Sequence, residues 1–192
     1  MTSPDKLKTQ LRRELRARRR ALDPARQQSA ARAVARALPA LPGWDRVARI
    51  ALYLPADGEV DTRDIVHLCR ATGRTLYLPR VGNRGELHFA LWQEGVPLHS
   101  NRYGIPEPPA AAPRGNTASL DLVLLPLVGW DRRGNRLGMG GGYYDRALAG
   151  SRPGLLVGLA HGVQEVEHLP AQAWDVRLDY VLSEQALHRC GI

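Results

Sequence analysis

Leucines at positions 7, 11 and 15 recur every four residues on a stretch otherwise covered by arginine, a narrow apolar stripe that predicts an amphipathic helix. Ser3-Pro4-Asp5 supplies its start, with a capping hydroxyl, a proline in the first turn and then an acid. Asp23-Pro24 restarts a helix whose inward face is Val34, Leu38 and Leu41, and Pro42-Gly43 ends it. Short apolar runs then alternate with helical ones. Residues 47–54 predict a strand, 62–71 a helix closed by Gly73, and 75–78 and 87–92 further strands. Residues 97–116, rich in proline, glycine and alanine, predict a long loop. Residues 120–128 form the most apolar strand, of the kind that fills a sheet centre. A helix near 144–148 and strands at 155–159 and 180–182 complete the pattern, and no internal repeat is visible.

This alternation predicts an α/β fold, a three-layer sandwich with a mainly parallel central sheet, preceded by an arginine-rich N-terminal helical segment. Residues 1–192 are expected to form a single domain, with helices in 1–42 docking on a sheet-containing core of 43–192. Ligands of such sheets bind at the carboxyl ends of strands, where Glu59, Asp131 and the glycine-rich residues 138–142 would all fall.

Charge changes the picture in one place. The net charge is +8, but residues 1–36 hold eleven Lys/Arg against three Asp/Glu, so the remainder is neutral. The basic character therefore belongs to one segment, not to the whole protein. Cys69 and Cys190 lie far apart without metal or redox spacing, which fits a reducing cytosol. No apolar run approaches the roughly 20 residues of a membrane span, and no export signal is visible. A soluble, cytoplasmic monomer is expected.

The clearest chemistry lies in Arg136-Leu137-Gly138-Met139-Gly140-Gly141-Gly142-Tyr143-Tyr144-Asp145-Arg146, where glycine fills four of the five positions 138–142. Without β-carbons, successive amides can turn inward and approach an anion closely, and a helix starting here would add its unpaired N–H groups. A tight turn with no ligand is the alternative, but each surplus glycine costs about 1 kcal/mol in a regular element, so a phosphate cradle explains the run better. It is neither of two familiar nucleotide loops: no Lys-Ser/Thr follows the last glycine, and Tyr143 stands where a dinucleotide fingerprint needs its third glycine.

Other candidates are single residues. Asp61 or Thr62 would cap the helix that follows, whereas Glu59 has no evident structural duty and could accept hydrogen bonds from a polar heterocycle. Asp145 and Asp175 are the acids suited to magnesium, which on a nucleotide takes one or two carboxylates besides phosphate oxygens and water; a surface salt bridge or a cap is the alternative for each. Arg16, Arg18, Arg19 and Arg20 read as a solvated face or a nucleic-acid contact. Against the latter, the segment lacks aromatic residues and has an apolar stripe that should dock. Docking would bring Lys8 and Arg12, one turn apart, to a glycine run that has no lysine of its own. The histidines show no metal-ligand spacing, and no Ser-His-Asp or Cys-His arrangement stands out.

The eleven residues from Arg136 to Arg146 resemble those of the 5-formyltetrahydrofolate cyclo-ligase family, the methenyltetrahydrofolate synthetases. Lys8-Thr9-Gln10-Leu11-Arg12, Gly58-Glu59-Val60-Asp61-Thr62, Tyr103-Gly104-Ile105-Pro106-Glu107-Pro108, Val157-Gly158-Leu159-Ala160-His161, Leu169-Pro170 and Trp174-Asp175 extend the likeness over residues 6–183. The resemblance implies ATP-dependent cyclisation of 5-formyltetrahydrofolate to 5,10-methenyltetrahydrofolate with magnesium, releasing ADP and phosphate. The formyl oxygen would attack the γ-phosphate to give a phosphorylated imidate, which the 10-nitrogen closes.

By position, the resemblance makes Lys8, Thr9, Gln10, Leu11, Arg12 and the whole of Arg136, Leu137, Gly138, Met139, Gly140, Gly141, Gly142, Tyr143 and Tyr144 ATP-binding. It makes Arg12, Arg136 and Asp145 catalytic. Leu54, Glu59, Tyr103 and Tyr143 would bind the folate, and Asp145 and Asp175 the Mg2+. The partners implied are ATP and a reduced formyl folate, with no membrane or nucleic acid. The rival readings are a sugar-phosphate isomerase or CoA-transferase-like enzyme on a similar scaffold, which would need no ATP, and an RNA-binding module using residues 1–36.

Overall fold

The computed structural model describes residues 4–82 and 85–191. Helix α1 spans Pro4–Arg20, so the capping role expected of Ser3 lies outside the described residues. Helix α2, Pro24–Ala37, is capped by the Asp23 carboxylate, which accepts the Arg26 N–H at 2.8 Å. Strand β1 (Arg49–Ala51), helix α3 (Arg63–Ala71), strand β2 (Thr75–Val81) and strand β3 (Leu87–Leu91) follow. Next come β4 (His99–Ser100), β5 (Pro106–Glu107), β6 (Leu122–Pro126), β7 (Gly129–Trp130) and β8 (Arg136–Leu137). Helix α4 (Tyr143–Ala149) and strands β9 (Leu155–Leu159), β10 (Tyr180–Leu182) and β11 (Leu187–Arg189) complete the chain.

The main sheet has the order β11-β10-β9-β6-β1-β2-β3. Its interior, from β10 to β2, is parallel; the edge strands β3 and β11 are antiparallel to their neighbours. Along β6, Leu122 and Leu124 pack on one face and Val123 and Leu125 on the other, so each alternate side chain feeds a different core. The first core takes Val34 and Leu38 from the α2 region and Ile65 and Cys69 from α3; the second takes Leu148 from α4 and Trp130 from the β7–β8 hairpin. This is the three-layer α/β arrangement expected from the alternation of elements.

The chain leaves β1 outward to β2 and β3, then returns to build β6 on the other side of β1. Strand order therefore reverses between β1 and β6, and a crevice opens beyond their carboxyl ends. The ladder shows where it starts: β1 pairs with β6 only at Ile50–Leu122 and Ala51–Val123, while β6 goes on pairing with β9 through Pro126. The strand expected over 47–54 is correspondingly shorter: its ladder ends at Ala51, although the Leu52 N–H still donates to Tyr77 O at 3.0 Å. The loop expected over 97–116 is also corrected. His99 pairs with Glu107 and Ser100 with Pro106, and the Glu107 carboxylate accepts the Val81 N–H at 3.1 Å, which ties the segment to β2.

Candidate active site

Helix α1 has three working faces. The first is apolar: Leu15 is 1 % exposed and sits over Gly129, where a β-carbon would collide with its Cδ1. Leu15 shares that satellite core with Val128, Leu137 and Leu169, and Leu11 packs against it. The second face is basic and corrects the expectation of a solvated arginine run. Arg16, Arg19 and Arg20 all converge on Asp57, and the Arg19 side chain is 1 % exposed. Its Nε donates to Asp57 O at 3.0 Å, its Nη2 to Asp57 Oδ2 at 2.8 Å and its Nη1 to Leu127 O at 3.1 Å, so one guanidinium joins both lips of the crevice. Asp57 has φ +54°, a left-handed conformation that aspartate tolerates better than most residues. Burial alone would push its carboxyl up, but hydrogen bonds from Arg16 and Arg20 and the field of Arg16 and Arg19 outweigh it and hold the pKa low.

The third face meets the glycine run. Arg12 Nε donates to Gly138 O at 2.9 Å, and Lys8 Nζ pairs with Asp175 Oδ2 at 2.8 Å. Gly140 at φ +102° and Gly142 at φ +63° adopt backbone conformations that side chains disfavour, and Tyr143 opens α4 immediately afterwards. Because α4 has only seven residues, the cradle consists chiefly of loop amides and basic side chains, with little help from a helix dipole. Arg136, its side chain 4 % exposed, reaches Asp145 Oδ1 at 2.5 Å, and Arg146 donates to Gly141 O at 2.8 Å.

These parts enclose one cavity of about 860 Å³. Lys8, Thr9, Arg12, Arg136, the glycine run, Tyr143, Tyr144, Asp145 and Asp175 line it, together with Leu54, Glu59 and Tyr103. Gln10 and Leu11 do not: Gln10 donates its amide to Glu14, and Leu11 faces the satellite core. Asp131 is likewise not at the cleft. It is wholly buried in the β7–β8 hairpin, accepting the N–H groups of Arg133, Asn135 and Leu169, so its role there is to hold a turn.

Glu59 lies where β1 gives way to α3. Its Oε2 accepts the Ala56 N–H at 3.0 Å, so it has a structural contact the sequence did not suggest. Burial raises the pKa of its carboxyl, against that hydrogen bond and the field of Arg19. Asp61 accepts the Arg63 N–H at 2.9 Å, while the Thr62 hydroxyl donates to Tyr53 O at 2.7 Å, so Asp61 alone supplies the side-chain cap of α3. At the mouth, the Tyr103 and Tyr143 hydroxyls hydrogen-bond to each other and Arg102 Nη2 donates to Tyr143 at 3.1 Å. Sequence reasoning missed Asp57 and the buried Arg19; nothing in a run of arginines tells which one turns inward.

A family model, the 5-formyltetrahydrofolate cyclo-ligase family, matches residues 4–184. The chain belongs to that family. It is 36 % identical to the 5-formyltetrahydrofolate cyclo-ligase of Escherichia coli strain K12 over 177 residues, which cover 88 % of this chain and 96 % of the relative. It is 38 % identical to the Haemophilus influenzae cyclo-ligase over 138 residues, 69 % of this chain and 74 % of that one. The NMR structure of Aquifex aeolicus 5,10-methenyltetrahydrofolate synthetase superposes with a TM-score of 0.85 at 33 % identity, covering 97 % of this chain and 94 % of that one. The likeness read from the glycine run and the α/β fold are both borne out, and the chain is an enzyme of this cyclo-ligase family.

A metal in this cyclo-ligase cleft would have to rely on few protein ligands, since no cluster of three or more His, Cys, Asp or Glu suited to a metal occurs among the described residues. Asp145 and Asp175 fit that demand. Asp145 takes Arg136 and the Val176 N–H on the same Oδ1, and Asp175 takes Lys8 and the Gln172 N–H on the same Oδ2. One carboxylate oxygen of each therefore carries these contacts, and the other suits a hard cation that keeps water and phosphate oxygens around it. No helix among the described residues is long and apolar enough to cross a membrane.

Proposed function

We propose that this enzyme closes the imidazoline ring of 5-formyltetrahydrofolate to give 5,10-methenyltetrahydrofolate, with ATP converted to ADP and phosphate. The observation that carries the reading is the pairing, in one cavity, of a glycine cradle ringed by Lys8, Arg12 and Arg136 with a half-buried carboxylate, Glu59, at the reversal of strand order. The first suits a triphosphate and the second suits the N–H donors of a pterin.

In this mechanism the cradle orients the γ-phosphate toward the formyl oxygen of a folate held by Glu59, Leu54, Tyr103 and Tyr143. An O–P bond forms as the bond from the γ-phosphorus to ADP breaks. The 10-nitrogen then attacks the formyl carbon, loses its proton, and the C–O bond to phosphate breaks to leave the methenyl ring. Phosphoryl transfer of this kind has a loose transition state that needs positioning and charge neutralisation more than a protein nucleophile. Arg12 and Arg136 serve that need directly, and Lys8 and Thr9 extend the cradle along α1; the amides of residues 138–142 and the start of α4 at Tyr143 and Tyr144 complete it. Asp145 and Asp175 would hold Mg2+, which when bound offsets negative charge on the phosphates.

The reading requires residues 1–42 and 43–192 to work as one unit, because Lys8 and Arg12 reach across to the loop. It also disfavours the RNA-arm alternative, since three of the arginines that would contact RNA are engaged by Asp57. The test is the near-ultraviolet absorbance of the methenyl product, followed after mixing the protein with 5-formyltetrahydrofolate and magnesium, with and without ATP. A rise that needs ATP is expected. A rise without ATP would favour an isomerase-like or transferase-like enzyme, and no rise from folded protein would overturn the proposal.

A further inference from the structure

Of the large apolar side chains exposed among the described residues, Tyr103 (55 %), Met139 (54 %) and Trp174 (67 %) all border the same cavity. Single exposed hydrophobics need no explanation, but their gathering round one concavity marks a binding surface. Tyr103 has its partner in Tyr143 across the mouth. Trp174 has none. Among the described residues its ring makes no stacking or cation–π contact, whereas Trp44 lies against Arg74, Trp92 against Arg70, and the buried Trp130 against His188.

Helix α1 gives the order of groups along the cleft. Arg19 is anchored at Asp57, two residues from Glu59; Arg12 is anchored at Gly138; Lys8 is anchored at Asp175, the residue next to Trp174. Arg19 and Lys8 are about 16 Å apart along the helix axis at 1.5 Å per residue. The cleft therefore runs from Glu59, past the glycine cradle, to Trp174. A ligand whose phosphates lie in the cradle and whose reacting end faces Glu59 must extend its remaining part toward the indole.

We infer that Trp174 is the stacking platform for the purine base of the nucleotide. This rests on the reading of the cleft as an ATP site and deepens it. A flat heterocycle covers exposed indole surface and gains stacking without hydrogen-bond readout, so the platform accepts a purine by its π-face. Asp175 and Lys8, directly beside it, then meet the phosphate end of the same molecule.

The test uses the full-length protein and its Trp174→Phe and Trp174→Ala variants, titrated with ATP, ADP and inorganic tripolyphosphate. The difference in tryptophan emission between wild type and Trp174→Phe isolates the signal of residue 174. ATP and ADP should change that difference signal, while tripolyphosphate, which has phosphates and no base, should compete with ATP without reproducing the change. Trp174→Ala should weaken ATP binding about tenfold, Trp174→Phe should weaken it much less, and the affinity for tripolyphosphate should stay the same in all three. Equal weakening of ATP and tripolyphosphate would overturn the inference by making Trp174 a support for the Asp175 loop. So would an unchanged Trp174 signal while ATP-dependent methenyl formation persists. If wild type neither binds ATP nor forms the methenyl product, the cleft reading itself falls and the assignment falls with it.

Discussion

Asp57 apart, which three arginines already neutralise, the acids at the two ends of the cleft handle charge in opposite ways. In the glycine-loop half Asp145 pairs with Arg136 and Asp175 with Lys8, so both carry a cation. In the β1-tip half, Glu59 accepts a backbone N–H and is pushed toward its neutral form by burial. On the proposed function, the first half shares charge with a polyanion, and the second keeps a carboxylate short of water until a hydrogen-bonding ligand arrives. They also differ in how they are assembled. The loop half is largely one contiguous run, residues 136–146, whereas the other half draws on β1, the tip of β6 and, through Arg19, helix α1.

The comparison is tested most severely by Asp145→Asn. If the loop half acts on developing phosphoryl charge, kcat should fall by about 10²–10³-fold, the scale of losing one preorganised electrostatic group. Steady-state kinetics at saturating magnesium, ATP and folate would check it, and a near-normal kcat would remove Asp145 from the reaction.

Asp57→Asn should come next, acting on the staple that joins the two lips of the crevice within the β1-tip half. Asparagine keeps the left-handed backbone accessible but removes the charge opposite a guanidinium that is 1 % exposed. Orphaning a buried charge costs about 3 kcal/mol or more, measurable as a lower denaturant midpoint at constant slope. The pH dependence has a definite sign. The Asp57 pKa is lowered in the folded state, so its contribution is complete above the ordinary carboxylate value and is lost as pH falls through the lowered one. Acid should therefore shrink the difference between wild type and variant; a difference that persists in acid would mean the staple works through shape alone.

The same asymmetry of assembly explains what could be read from the chain before folding. The glycine cradle was legible because its requirements are local: φ of +102° and +63° at Gly140 and Gly142 demand glycine, and the acid and arginines sit within a turn or two. The parallel sheet was legible from alternating apolar runs, and the docking of α1 from Leu11 and Leu15. Arg19 was not, since sequence shows a run of basic residues but not which one finds a carbonyl from residue 127. Asp131 misled for a related reason. It follows the apolar strand closely enough to suggest the crevice, yet the hairpin turns it inward to organise the N–H groups of Arg133, Asn135 and Leu169. The 97–116 segment was unreadable because its pairing with β2 uses Glu107 rather than any apolar period.

Glu59→Gln separates function from stability within the β1-tip half. Losing a charged acceptor for folate N–H groups should raise the folate KM by about 10–100-fold, the equivalent of roughly 1.5–3 kcal/mol. The unliganded protein should become more stable near neutrality. Because burial raises the folded pKa of Glu59, the ionised carboxylate disfavours folding above that pKa, and the penalty disappears as pH falls through it. The amide oxygen can still accept the Ala56 N–H, so the loop should keep its turn. Thermal melts across pH would show the stability gain fading in acid; a variant less stable than wild type at every pH would make the Ala56 contact, and not binding, the reason for the glutamate.

Lys8→Ala carries the smallest expected effect and draws the boundary between the halves most finely. Its ammonium is one of four cations round the cradle, with Arg12, Arg136 and Arg146, so its loss leaves most of the neutralising field intact. It also releases Asp175 from a 2.8 Å ion pair, which adds a negative charge near the phosphates and works in the same direction as the missing cation. Together these should raise the KM for ATP about tenfold, the scale of one charge-assisted contact, with little change in the KM for the folate. The geometry requires that selectivity: Lys8 lies seven residues from Leu15 and eleven from Arg19 along α1, at the end of the helix remote from Glu59. Measured with each substrate varied at saturating levels of the other, a folate KM that rises as much as that for ATP would mean the two halves are not independent, and the division of the cleft would have to be redrawn.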